Sequence, residues 1–439
     1  MIDSEIFSKR RSLFLSQLEG KVAIIPAANL VTHHADCQYP FRQDSDFWYL
    51  TGFDEPNAVA VFLPHKPSGE QFILFVMPNE KEAEVWNGFR YGVEGVKEFF
   101  GADSAHSIEE LPQLLTDYLI GSEGIAFRVG KYPKIEPLVL EALTKCLDLS
   151  QRSGAKSIAL SSPCSILHQL RLIKEVGEIE RIREAVTISA EAHELARKLV
   201  SPGMNEREIQ AIIEKYFLEN GARGPAYGSI VAGGDNACVL HYIENNCLLK
   251  GGDLLLIDAG CSLNDYYNGD ITRTFPISGK FTPEQKAIYE IVLEAQKSAI
   301  NSIIPGQTAE GIHLTALRLL IDGLIQVGLL KGNIDSIIEL GSYRHLYMHK
   351  TGHWLGLDVH DVGAYRLGEY PVKLKEGMVL TVEPGIYISN RLPVPEGQPD
   401  IKDAWQGIGI RIEDDIAITE KGFENLSKAA LKEVADVEK

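Results

Sequence analysis

Four stretches in the second half of this chain run apolar and strand-like into a carboxylate: Leu254-Leu-Leu-Ile-Asp258, Gly269-Asp270-Ile-Thr-Arg-Thr-Phe275, Met378-Val-Leu-Thr-Val-Glu383-Pro384-Gly385 and Ile408-Gly-Ile-Arg-Ile-Glu413. An unpaired interior carboxylate costs on the order of several kcal/mol, so any fold that buries these segments must bring cations to them. The segments hold too few basic residues to serve all four. Two divalent ions balance the charge: four carboxylates carry four negative charges, and His353, from the stretch between them, is neutral. A bridging hydroxide leaves such a cluster close to neutral. Oxygen ligands with one imidazole suit manganese, with zinc, cobalt or iron as substitutes. A pair of ions roughly 3.5 to 4 Å apart is the usual arrangement for activating a water and clamping a tetrahedral intermediate, which makes the set a hydrolase site.

Each carboxylate also has an ordinary explanation. Asp258 before Ala-Gly reads as a strand-ending turn, Glu383-Pro-Gly opens one, Asp270 has Arg273 three residues on, and Glu413 follows Arg411 by two. Taken singly these explanations win; taken together, around a histidine-rich stretch, they do not. That stretch, Met348-His-Lys-Thr-Gly-His353-Trp-Leu-Gly-Leu-Asp-Val-His360-Asp361, places His349, His353 and His360 within twelve residues. It lacks the Glu of a His-Glu-x-x-His zinc helix and carries Gly352 and Gly356, so it reads as loop or strand. One ligand plus proton-handling or oxyanion-stabilising groups explains three histidines better than core packing does.

In order and content these segments resemble the metallopeptidases of the pita-bread fold, of the aminopeptidase P type. The matching pieces are Ile257-Asp-Ala-Gly-Cys261, Gly269-Asp-Ile-Thr-Arg-Thr-Phe-Pro276, His353-Trp-Leu-Gly-Leu-Asp-Val-His-Asp-Val-Gly363, Val379-Leu-Thr-Val-Glu-Pro-Gly-Ile-Tyr387 and Gly409-Ile-Arg-Ile-Glu-Asp414. In the amino-terminal half, Phe41-Arg-Gln-Asp-Ser-Asp-Phe-Trp-Tyr-Leu-Thr-Gly-Phe53 resembles the family's accessory domain. The resemblance implies that Asp270 and Glu413 bridge two manganese ions, that Asp258 completes one, and that His353 and Glu383 complete the other. It makes Glu383 the acceptor of the attacking water's proton. His360 and His241 match the histidines that contact the substrate carbonyl, and His349 and Arg411 match residues that hold the ligands in place. Trp86, in Glu84-Val-Trp-Asn-Gly-Phe-Arg90, resembles a residue lining the active site of a neighbouring subunit, which implies a homodimer or homotetramer.

Eleven residues separate Asp258 from Asp270, one more than the family pattern has. A slip inside a strand would turn a ligand to the wrong face, so the surplus is placed in the turn Ser262-Leu-Asn-Asp-Tyr-Tyr-Asn-Gly269. The implied reaction is release of the first residue from peptides with proline second. The bond before proline is a tertiary amide with no N–H and restricted geometry, which general peptidases handle badly. Prolidase, confined to Xaa-Pro dipeptides, uses the same ligands, and some relatives keep the fold as non-catalytic binding proteins after losing metals. Retention of all five donors argues against the second of these.

At 439 residues the chain exceeds one ordinary core, so two domains are expected. The boundary falls near residues 160 to 175, where Ser161-Ser-Pro163 interrupts the pattern. Residues 1–170 read as an α/β accessory domain, and 171–439 as the catalytic domain, a curved antiparallel sheet with outer helices. The first contains helical patterns at 7–18, 108–119 and 135–147 and strands at 22–26, 58–63 and 72–77. The second opens on one long helix from about Leu170 to Val200, then another over 206–218. Ser229-Ile-Val-Ala-Gly-Gly-Asp235 lacks the Lys-Ser/Thr of a phosphate loop and reads as a hairpin. Thr282-Pro283-Glu-Gln285 caps the first of two further helices, 283–303 and 309–329. No internal repeat is visible, and the charged tail from Lys421 reads as a terminal helix or frayed end. A net charge of -18 disfavours nucleic acid and anionic membranes as partners. Six cysteines without Cys-x-x-Cys spacing read as reduced thiols, and the absence of a signal peptide or membrane-length apolar run predicts a cytoplasmic protein.

Overall fold

The computed structural model describes residues 4–153 and 158–438. The chain divides into two compact units between Arg171 and Leu172. The first is built on a six-stranded sheet in the order Ser104–Ser107, Phe72–Val76, Val59–Phe62, Lys21–Pro26, Gly124–Ala126, Ala159–Ser161. A short loop after Phe62 lets Phe72–Val76 fold back antiparallel, whereas the parallel neighbours are reached through helices such as Gly92–Phe100, Leu111–Leu119 and Glu136–Ser153. Val59–Phe62 and Phe72–Val76 are buried at every position, and Lys21–Pro26 at all but Lys21, as a sheet covered on both faces requires.

In the second unit every strand pair is antiparallel. Helices Val176–Leu199 and Glu206–Glu219 precede a sheet of Ile230–Gly233, Leu254–Asp258 and Thr272–Pro276. Helices Pro283–Asn301 and Ala309–Gln326 precede a second sheet of Val379–Val382, Asp414–Thr419 and Gly422–Asn425. The unit therefore repeats one plan, a helix pair followed by three antiparallel strands, although its sequence shows no repeat. This is the pita-bread architecture. The helix Val176–Leu199 is tied to the first sheet: Ser189 Oγ accepts from Cys261 N at 2.9 Å, and His193 Nε2 lies 2.9 Å from the Ala259 carbonyl.

Three expectations need correction. The long helix from Leu170 to Val200 is two, Cys164–Leu172 and Val176–Leu199, because tertiary contacts take the residues between. Lys174 N donates to the Gly377 carbonyl at 2.8 Å, its buried ammonium sits 2.9 Å from Asp361, and Glu175 starts the next helix with a capping box. Ser229–Asp235 is not a hairpin in itself; Ile230–Gly233 is one strand, paired with Leu254–Asp258. The tail is not frayed: Gly422–Asn425 joins the second sheet and Val434–Val437 forms a helical turn, while Lys439 lies outside the described residues. Among the described residues all six cysteines are free thiols, and no helix is long and apolar enough to cross a membrane.

Candidate metal centre

Register puts the four carboxylates on facing surfaces. Asp258 pairs with Thr272, and the same ladder continues through Gly269 N, which donates to the Cys261 carbonyl, to Leu263 N, which donates to the Tyr267 carbonyl. No residue slips, so Asp270 stands opposite Gly260 and shares a face with Asp258. The loop that closes this hairpin is Asn264-Asp265-Tyr266, with Tyr266 at φ 68, the left-handed residue that a three-residue hairpin loop requires. Only glycine fits at position 260, where a Cβ would lie 1.8 Å from the Gly269 carbonyl oxygen.

The two glutamates face one another in the same way. Val382 pairs with Asp414 and Gly385 with Arg411, an unbroken register that sets Glu383 directly across from Glu413. His353 reaches the group because Thr351–Leu355 runs beside Val379–Val382: Glu383 N donates to the Thr351 carbonyl at 2.8 Å and Thr381 N to the His353 carbonyl at 2.9 Å. Gly352 makes this approach possible, since a Cβ there would lie 2.0 Å from the Thr381 oxygen.

The result is a crowd of acids. One donor atom from each of Asp270, His353 and Glu413 lies within 4.8 Å of the others, and His353 Nε2 is 3.3 Å from Asp270 and 3.7 Å from Glu383. Tyr227 Oη lies 2.6 Å from both Asp258 and Asp270. One phenolic hydrogen cannot satisfy two carboxylates, so the pair calls for a further cation. Arg411 supplies one, in an ion pair with Asp258 at 2.6 Å. Burial, followed by the charges of Asp270, Glu383 and Asp258, pushes Glu413 well above the usual carboxylate range. Burial, against the pull of His353 and Arg411, raises Glu383 to about 7. For His353 burial opposes charging, but Asp270 outweighs it and raises the imidazole to about 9. Without metal the site neutralises itself with protons. Four carboxylates and one imidazole, with a single arginine beside them, form a donor set that fits two divalent cations.

His349 and Arg411 flank the acids through Tyr387. Arg411 Nη1 donates to Tyr387 Oη at 3.0 Å, and Tyr387 Oη lies 2.8 Å from His349 Nε2, whose Nδ1 is 2.7 Å from the Lys350 carbonyl. Burial, then Arg411, lowers His349 to about 3, so it is a neutral imidazole whose Nδ1 carries the hydrogen and whose Nε2 accepts. His360 packs edge-on against His353 with ring centroids 4.3 Å apart. It is exposed, as is His241, which lies close enough to act electrostatically on both His349 and His360. Trp86 belongs to the other unit and is 87% exposed.

Sequence reasoning missed several partners. Tyr227 carries no motif; its place follows from Ile230 pairing with Asp258. Thr272 Oγ1 donates to Glu413 at 2.6 Å, and Asp415 Oδ2 accepts from Asp270 N at 2.9 Å. The local ion pairs weighed as an ordinary explanation of Asp270 and Glu413 do not form among the described residues. Arg273 goes to Asp414 at 2.6 Å rather than to Asp270, because Thr272 faces the acids and its neighbour must face away.

Residues 180–420 match the model of metallopeptidase family M24, and residues 7–126 match that of the aminopeptidase P N-terminal domain. The chain belongs to metallopeptidase family M24. Over its whole length it resembles aminopeptidase P. It is 41% identical to the Xaa-Pro aminopeptidase of Escherichia coli strain K12 over 438 residues, covering 100% of this chain and 97% of that protein. The Xaa-Pro aminopeptidase of Haemophilus influenzae is 42% identical, with the same coverage. Among solved structures, Pseudomonas aeruginosa aminopeptidase PepP superposes with TM-score 0.94 at 41% identity, covering 100% of this chain and 97% of that one. A zinc-substituted E. coli aminopeptidase P in complex with product superposes with TM-score 0.93 at 41% identity, covering 100% and 98%.

Proposed function

We propose that this protein is a dimetal Xaa-Pro aminopeptidase, releasing the N-terminal residue from peptides whose second residue is proline. The observation that carries the reading is the convergence of four carboxylates, Asp270 and Glu413 buried and Asp258 and Glu383 half-buried, and of His353, with one arginine among them. Asp258, Asp270, His353, Glu383 and Glu413 would hold the ions, Asp270 and Glu413 serving both, Asp258 one, and His353 with Glu383 the other. Manganese is the proposed native metal, and zinc, cobalt or iron suit the same donors. When bound, the metals polarise the scissile carbonyl and make water nucleophilic at neutral pH.

The chain's own groups do the rest. Glu383 takes the proton of the attacking water and passes it to the proline nitrogen as the C–N bond breaks, so the amine leaves neutral. His360 and His241 stand at the exposed side of the acids, where they hold the substrate carbonyl as it gains charge. The Arg411, Tyr387, His349 chain fixes the neutral tautomer of His349 beside Glu383, 3.8 Å away. Residues 1–170 act as the accessory domain and 171–439 as the catalytic one. Val85, Trp86 and Phe89 expose a cluster of large apolar side chains in the accessory unit, which supports assembly into a dimer or tetramer. The cytoplasm is the proposed location.

Hydrolysis of an Xaa-Pro dipeptide and of an Xaa-Pro-Xaa tripeptide, each with chelator and with added manganese, tests the reading. Tripeptide cleavage that chelator abolishes and manganese restores is expected. Cleavage confined to the dipeptide would make the protein a prolidase.

A further inference from the structure

A second cluster of reactive groups lies in the first unit, where the proposed reaction makes no use of it. The sulfur of Cys164, an imidazole nitrogen of His168 and a carboxylate oxygen of Asp46 all lie within 4.8 Å of one another. Cys164 opens the nine-residue helix Cys164–Leu172, and His168 stands one turn later on the same face. Asp46 comes from the helix Ser45–Thr51. Its carboxylate is buried, 3.7 Å from His168 Nε2 on one oxygen and 2.7 Å from Arg171 Nη1 on the other.

We propose that Cys164 is a site of thiol–disulfide exchange with small disulfides, with His168 as its proton partner and Asp46 holding the imidazolium. The charges in the cluster decide for this chemistry over metal binding. Asp46 and a Cys164 thiolate are balanced by Arg171 and a protonated His168, which leaves no net charge for a dication to neutralise. Arg128 adds a further positive charge facing the sulfur, Ser162 accepts from Cys164 N at 3.2 Å, and the helix N-terminus favours an anion there. Consistent with this, His168, then burial, then Ser162 act on the thiol with a net downward shift, and Asp46 raises His168 to about 9. Cys164 is half-buried, so a small disulfide can reach it. In the exchange the thiolate attacks one sulfur, the new S–S bond forms as the old one breaks, and the departing thiolate takes the proton of His168.

The test uses the intact protein with oxidised glutathione, followed by peptide mapping. Cys164 is expected to form its mixed disulfide about tenfold faster than the exposed Cys37 and Cys247. Its alkylation by iodoacetamide should slow less between pH 9 and 7 than that of an ordinary thiol, which slows by more than about tenfold over that range. His168→Gln should slow Cys164 and restore the ordinary pH dependence; if that variant misfolds, the profile of the unaltered protein decides alone. Faster modification of Cys37 or Cys247, or an ordinary pH profile at Cys164, overturns the proposal. So does a bound metal equivalent that disappears in Cys164→Ser, which would make the cluster a metal site.

Discussion

Glu413 and Asp414 are consecutive residues, both buried, and they meet opposite fates. Glu413 looks toward Asp258, Asp270 and Glu383 and is pushed far up the pH scale by burial and by those charges. Asp414 points to the other side of the strand, where Arg273 lies 2.6 Å away, Lys432 makes a second ion pair, and Asn425 and Ser427 donate at 2.7 and 3.0 Å. Burial raises it, but Arg273 and Lys432 outweigh burial and hold it well below the usual carboxylate range. One face of the strand is a finished structural network; the other is short of positive charge. Strand alternation separates the two within a single peptide bond. A functional acid is thus recognised less by being buried than by being buried without its counter-charge.

Glu413→Gln breaks the unfinished side. It should reduce kcat/KM for an Xaa-Pro-Xaa peptide by on the order of 1000-fold or more, since in the proposed arrangement both ions would lose a ligand. The metal-free fold should hold or gain stability, because a repelling charge is gone. A metal-free melting temperature that falls steeply would show that Glu413 is structural after all.

Asp414→Asn breaks the finished side and leaves Arg273 and Lys432 buried without their partner. A loss of roughly 3 to 5 kcal/mol in unfolding free energy is expected, equal with and without metal. Chemical denaturation of both forms measures it. A loss seen only in the metal-loaded protein would place Asp414 in the metal site.

Metal and pH sharpen the contrast further. At about 100 times its dissociation constant, manganese should stabilise the protein by roughly 2.7 kcal/mol for each ion bound, an effect absent in Glu413→Gln. In chelated protein, Glu383 is raised from its unfolded value to about 7, so the stability it contributes is full below the unfolded pKa and lost as pH rises through 7. Asp414 is depressed, so its contribution is present above the unfolded pKa and lost only as pH falls into the acid range. Melting temperatures of the chelated protein should therefore fall between about pH 5 and 8, and added manganese should remove that fall. A flat profile without metal contradicts the crowding.

The smallest effect is expected at His349, which reaches the acids through Tyr387 and lies 3.8 Å from Glu383. His349→Ala should cost about 10- to 100-fold in kcat/KM, less than Glu413→Gln. The reverse order would contradict the roles assigned to the two.

Much of this was legible in the chain. The helix start at Thr282 is realised with its capping box, Thr282 Oγ1 accepting from Gln285 N and Gln285 accepting from Thr282 N. The four carboxylates converge because each flanks or ends a strand whose apolar pattern sets its face, and His353 joins them from the segment that runs beside Val379–Val382. The break at Lys174 was not legible, since helical periodicity runs through it and only the distant Asp361 and Gly377 pull the residue out. Tyr227 was invisible for the same reason: its partners are 31 and 43 residues away.

By itself the sequence determined the inventory, four costly carboxylates and a histidine in apolar segments, and the deficit of positive charge that any burial of them creates. Tertiary structure alone decided the allocation: Arg411 to Asp258, Arg273 and Lys432 to Asp414, and little beyond His353 for the rest. The reason is geometric. Which residues carry charge is a local property, whereas which charges face one another depends on cross-strand register, set by contacts far apart in the chain.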